Sequence, residues 1–201
     1  MKTKHAFDMV HDAQEVFRIL LEALANPGRV LSLRPYADKF AGQGRWLTPA
    51  VTLLDNGTGF FWDGDRETGE EIRFLTGAPP VPLEKADFVF LSAARGTEEK
   101  AGELAARVLS RVKQGTHLDP HDSALLFIAP GAGRAGENPD REFSLRGPGI
   151  PPEGRPVTLS PAEAAWRRAR DERGFEYPCG VELVFLREDL SILALTRKTI
   201  I

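Results

Sequence analysis

The stretch that most restricts how this chain can fold lies in its middle, where strand and helix patterns alternate. Residues 86–91 and 123–129 are short, mostly apolar segments bounded by turn residues, the pattern of strands buried on both faces. Between them, residues 97–113 place Leu104, Val108, Leu109 and Val112 on the inner side of an amphipathic helix. Neither kind of element buries its apolar side alone, so the alternation predicts a sheet with helices packed on it.

The flanks extend the scheme. Residues 12–25 carry Ala13, Val16, Phe17, Leu20, Leu21 and Leu24 at spacings of three and four, which predicts a helix with these side chains facing the core. Asp12 reads as its N-cap with Glu15 completing a capping box, and Asn26, Pro27 and Gly28 stop it. A short strand is expected at 29–33. Thr48 then reads as an N-cap with Pro49 in the first helical position, giving a brief helix to Asp55, and the Asn56-Gly57 turn leads into a strand at 58–62. Residues 67–75 are read as a helix with Ile72 and Leu75 inside, ended by the loop at 77–80.

Past Pro130 the pattern changes to a Gly-rich loop, a strand at 141–146, a second loop at 147–152 and a helix opened by Ser160, Pro161 and Glu163 and closed by Gly174. A hairpin with strands at 181–186 and 191–195 ends the chain. The 45 residues beyond the Pro/Gly-rich 130–156 segment hold one helix and one hairpin, too little to bury a separate core. The expectation is an α/β fold: a single domain over residues 1–201, with a mixed β-sheet and helices on its faces.

Composition adds exclusions. Lys and Arg number 26 against 29 Asp and Glu, a formal charge of -3, so no bulk field holds a polyanion and nucleic-acid binding is not expected. The longest uninterrupted apolar run, 124–129, has six residues where a membrane span needs about twenty, so no membrane segment is expected. Asp8, His11 and Asp12 interrupt the N-terminus before an apolar stretch develops, so no signal peptide is read. A lone Cys179 offers no disulfide partner, and together these features predict a cytoplasmic protein.

Several motifs carry chemistry in other settings. Gly131, Gly133 and Gly136 match G-x-G-x-x-G after a strand, but Pro139 and another strand follow where a phosphate cradle needs a helix, so the segment reads as a hairpin loop. His117, Asp119, His121 and Asp122 are the right residue types for a metal, yet Pro120 breaks the helix that would align them, and a solvated turn is the better reading; no metal site is assigned. Cys179 has no histidine near it in sequence and reads as a structural thiol. Arginine outnumbers lysine 19 to 7, but Arg167, Arg168, Arg170 and Arg173 share one helix, where a solvated face explains them. Two features stand out. Gly147 and Gly149 flank Pro148 ahead of Ile150, allowing close approach by a ligand or a partner chain, or a tight turn out of the sheet. Arg197, followed by Lys198, lies just past the last strand, where sites collect. Ile200 and Ile201 make a poor solvated ending, so the C-terminus is expected to pack on the sheet or beneath a partner.

Four ordered segments carry a resemblance: 11–18 with Asn26, Pro27 and Gly28; 145–150; 175–183; and 194–197. Together they resemble the H-subunit family of bacterial carbon-phosphorus lyase, PhnH, from about residue 7 to the C-terminus. The resemblance implies a reduced version of the fold of pyridoxal-phosphate-dependent transferases without the cofactor's lysine site, and hence no cofactor. It also implies a homodimer, and a core complex with G, I and J subunits. That complex forms α-D-ribose 1-alkylphosphonate 5-triphosphate from ATP and an alkylphosphonate, and the H subunit has no established catalytic residue. The expectation is therefore an accessory, non-catalytic subunit, with Gly147, Gly149, Ile150 and Arg197 as its ligand or partner contacts. The alternative is an independent enzyme or binding protein for an anionic phosphonate or nucleotide.

Overall fold

The fold rests on strands buried from both sides. In the computed structural model, which describes residues 5–92, 97–131 and 139–200, six strands form one sheet in the order β1-β8-β7-β4-β3-β2. The strands β2 (Phe60–Trp62), β3 (Phe88–Ser92), β4 (Leu125–Ala129) and β7 (Glu182–Leu186) run parallel. The sheet becomes mixed where β8 (Ser191–Leu195) returns antiparallel to β7 and β1 (Val30–Ser32) adds antiparallel to β8. The α/β class and the mixed sheet expected from the sequence are both present.

Alternate residues of each strand feed two cores. Leu91, Leu126, Ile128, Leu183 and Phe185 meet α5 (Glu98–Leu109) and α6 (Pro161–Arg173). On the other face Phe90 and Phe127 stack with ring centroids 5.0 Å apart, beneath α1 (His11–Ala25), α3 (Gly44–Leu53) and α4 (Arg66–Thr76). Burial on both faces explains why these strands are continuous apolar runs rather than alternating ones. Local signals set the helix ends: Thr97 caps α5, Asp65 caps α4, and Ser160 with Glu163 forms a complete capping box on α6.

Several local readings are corrected. Asp12 lies inside α1 rather than capping it; Asp8 accepts the amides of Val10 and His11, each at 2.8 Å. The Asp12 carboxylate instead receives Lys39 Nζ and the Asp8 amide, and Glu15 bonds Arg18. Val16, Leu20 and Ala23 form the buried stripe, whereas Phe17 and Leu21 are 49% and 54% exposed. The i, i+4 spacing that joined them to the core is equally the spacing of a second stripe. Helix α3 begins a turn before Thr48, which is fully buried, so Pro49 sits inside it and withholds a hydrogen bond from the Arg45 carbonyl.

The strand read at 141–146 does not join the main sheet. As β5 (Arg141–Leu145) it pairs with β6 (Arg155–Leu159), a strand the sequence reading did not anticipate, in a separate antiparallel hairpin. Pro156 hid it, since proline cannot donate to a ladder. In the register it faces Ser144, whose main chain points the other way, as does that of Arg146 to Ile200. Short α2 (Arg34–Ala37), also unanticipated, completes the fold between β1 and α3. Among the described residues no helix is long and apolar enough to cross a membrane.

Candidate functional site

The residues singled out in the sequence meet at one end of the molecule, around the last strand's exit. Gly147 has φ +129°, and a Cβ there would lie 2.5 Å from the Lys198 carbonyl oxygen. Gly149 has φ +77°, and its Cβ would lie 2.1 Å from the Ala25 carbonyl oxygen. Both positions therefore require glycine twice over, for conformation and for space. Their close approaches tie the loop to the end of α1 on one side and to the C-terminal segment on the other. Arg155 reinforces the first tie by donating to Pro27 O at 2.7 Å, and an Arg146–Ile200 main-chain pair reinforces the second. Ile150 packs, partly buried, against the α5/α6-side core.

Arg197 is enclosed by its own chain. Its Nε donates to Glu182 at 2.7 Å, Nη1 to the carbonyls of Pro120 and Pro178 at 3.0 and 2.9 Å, and Nη2 to Ser123 Oγ at 2.9 Å. Lys198 Nζ stands 3.4 Å above the centre of the Tyr177 ring, a cation–π contact at the surface. Thr199 is buried, but Ile200 is 57% exposed, so the packing expected of the C-terminal isoleucines is met at this position only by the main-chain pair with Arg146; Ile201 lies outside the described residues.

The sequence reading missed the central residue of this end. Arg170 is not on a solvated face: its guanidinium is buried and donates to Thr196 O at 2.7 Å, Thr199 O at 2.6 Å, Leu195 O at 3.3 Å and the Asp171 carboxylate. Arg167 covers the Phe143 ring, and Arg168 pairs with Glu98. The available signal was spacing, because Arg167 and Arg170 share a helix face with the Glu163 that closes the capping box. Glu163 is itself buried and also holds Arg187.

The metal-type residues of 117–122 are dispersed. His117 Nε2 lies 3.5 Å from Glu176, and Asp122 pairs with Lys113, which also donates to Asp87 at 2.7 Å. Burial alone would lower the Lys113 pKa, but the two carboxylates outweigh it and hold the ammonium above its ordinary value. Cys179 is half-buried, its amide donating to Glu176 O at 2.8 Å. Of the G-x-G-x-x-G segment only Gly131 is described; residues 132–138 lie outside the described residues.

In open α/β sheets the carboxyl ends of parallel strands are the usual ligand position. Here the Asp63 carboxylate accepts the Ser92 amide at 2.6 Å, joining the ends of β2 and β3. Arg45 donates to the Leu186 carbonyl at the end of β7 and lies over Trp46, whose ring meets Trp62 edge-on at 4.9 Å. Two open grooves flank the sheet. One of about 690 Å³ runs between α5 and α6 over Gly102, Ala106, Ala165 and Ala169; the other, about 520 Å³, follows the outer edge of β2.

Apart from 11–18, the segments that carry the family resemblance come together near the end built around Arg170 and Arg197: a Cβ on Gly28 would strike Leu145, one on Gly149 Ala25, one on Gly147 Lys198, and one on Gly180 would crowd Arg197. Residues 5–201 match the family model of the bacterial phosphonate metabolism protein (PhnH). The chain belongs to that family. A role in phosphonate metabolism follows for this PhnH-family chain, and the convergence gives its ordered motifs a physical reading as packing requirements of one knot. No match was found among curated proteins.

Proposed function

We propose that this chain is an accessory, non-catalytic subunit of the carbon-phosphorus lyase complex. In this reading it assists, in the cytoplasm, the formation of α-D-ribose 1-alkylphosphonate 5-triphosphate from ATP and an alkylphosphonate. It acts as a homodimer alongside the G, I and J subunits and carries no cofactor of its own. Gly147, Gly149, Ile150 and Arg197 serve by shaping the face that partners meet, with Tyr177, Lys198 and Ile200 exposed beside them.

The observation that carries the assembly reading is apolar surface left exposed along α1. Of the nine large hydrophobic side chains exposed among the described residues, Met9, Val10, Phe17 and Leu21 lie on α1 or just before it. Such an apolar helix stripe can meet the same stripe of a second copy across a two-fold axis, the simplest symmetry for a dimer.

Two measurements test the reading. Light scattering of the chain alone, and after co-expression with the G, I and J subunits, is expected to give a dimer and then a larger assembly; a monomer that fails to co-purify would remove the claim. Incubation of the isolated chain with ATP and methylphosphonate is expected to release no adenine. Sustained release would favour the alternative of an independent phosphonate- or nucleotide-directed enzyme. Metal analysis and an absorbance scan of the untreated protein check the cofactor statement, with stoichiometric zinc or an aldimine band counting against it.

A further inference from the structure

The second edge of the sheet, at β2, is half-covered by the chain itself. The Phe60 amide donates to Pro79 O at 3.1 Å and the Val81 amide to Phe60 O at 2.9 Å, so residues 79–81 lie beside β2 as one rung of a parallel strand, Phe60 opposite Pro80. Pro82 then leads into a 3-10 turn, Leu83–Lys85, and the chain leaves the edge. On the inner side, the register of β2 with β3 and the Asp63 amide's bond to Phe90 O show that residues 59, 61 and 63 face β3. The main-chain N–H and C=O of Trp62 therefore point outward, into the groove of about 520 Å³ where the neighbouring strand has turned away.

The groove is built like an unfinished strand position. Phe61, Pro80, Val81 and Pro82 line it with apolar surface, and α4 supplies Arg66, Glu70 and Arg73. Arg66 is paired with Glu70 at 2.6 Å, which leaves Arg73 as the cation without a carboxylate among the described residues.

We propose that this edge receives an extended segment of a partner protein, which pairs with Trp62 as an added strand and places a carboxylate on Arg73. The inference rests on the reading above that the chain works in a complex. A strand is favoured over a small molecule because the site offers a donor and an acceptor from one edge residue, in line with a position the chain already uses for one rung. The positive charge of Arg73 sets the sign of the partner's side chain.

The test is residue-resolved amide exchange of the chain alone and in the assembly with the G, I and J subunits. In the isolated chain the Trp62 amide is expected to exchange freely, while those of Phe61 and Asp63 are protected. In the assembly Trp62 should slow by about tenfold or more, and Arg73→Glu should weaken assembly by about tenfold without altering protection of the core strands. If the assembly forms and Trp62 exchanges as in the free chain, the docking proposal falls and the subunit reading stands. If no assembly forms, both fall. Protection of Trp62 by ATP or methylphosphonate with no other subunit present assigns the groove to a small ligand and overturns the strand.

Discussion

The knot around Arg170 and Arg197 and the open edge of β2 use the same residue types in opposite ways. At the knot, guanidinium groups are sunk among main-chain carbonyls: Arg170 meets those of residues 195, 196 and 199, and Arg197 those of 120 and 178. At the edge, an arginine and a main-chain pair face an open groove. An excess of arginine therefore says nothing by itself about anions. A guanidinium has five donors, and where loops converge without a ladder it replaces the missing strand by bonding several carbonyls at once.

The largest effect is expected from emptying the knot. Arg170→Met removes the donors of three main-chain carbonyls in a buried setting and should cost about 3 kcal/mol, read as a lower urea midpoint at unchanged slope. A loss under about 0.5 kcal/mol would show that water serves those carbonyls equally well and would erase the contrast with the open edge.

Gly149→Ala comes next, at about 2 kcal/mol, because the new Cβ must displace the Ala25 carbonyl and hold a left-handed φ; Gly147→Ala should behave similarly against Lys198. The fold should survive both, with reduced complementation of growth on phosphonate. Wild-type stability together with full complementation would reduce the loop to a connector.

The Asp12–Lys39 pair is expected to matter less and to depend on pH. The hydrogen bond from Lys39 holds the Asp12 pKa below its ordinary value. A depressed carboxylate contributes stability that is present above its unfolded pKa, near 4, and is lost as pH falls through the folded value. Asp12→Asn should therefore cost about 1 kcal/mol at pH 7 and flatten the stability profile below about pH 4. Parallel profiles for the two proteins would refute the assignment.

The smallest effect on stability is expected at the α1 patch. Phe17→Glu should change the unfolding free energy by under about 0.5 kcal/mol, since the side chain is half-exposed, yet it should dissociate the dimer in light scattering. A dimer that persists would move the two-fold interface elsewhere.

Much of the fold was legible because burial leaves a periodic trace. The runs that became β3, β4, β7 and β8 and the capping residues of α6 each announce themselves within a few positions. Phe17 and Leu21 misled because helical spacing defines a stripe without saying which stripe meets the sheet. Strand β6 was lost because Pro156 argues against a strand until its pairing with Ser144 is known. Gly147, Gly149 and Arg197, singled out in the sequence, lie at one end of the molecule, but Arg170 among their neighbours looked like a charged helix surface.

The sequence alone determined the α/β class, most of the element succession and the family, because propensity, periodicity and ordered motifs are local properties of the chain. Only the tertiary structure decided how the arginines are used, which face of α1 is left open and where the β2 edge stays unpaired. Each of these depends on carbonyls, strands and loops brought together from distant positions, as when Arg170 bonds Thr199 or Gly149 meets Ala25, and no local pattern records such neighbours.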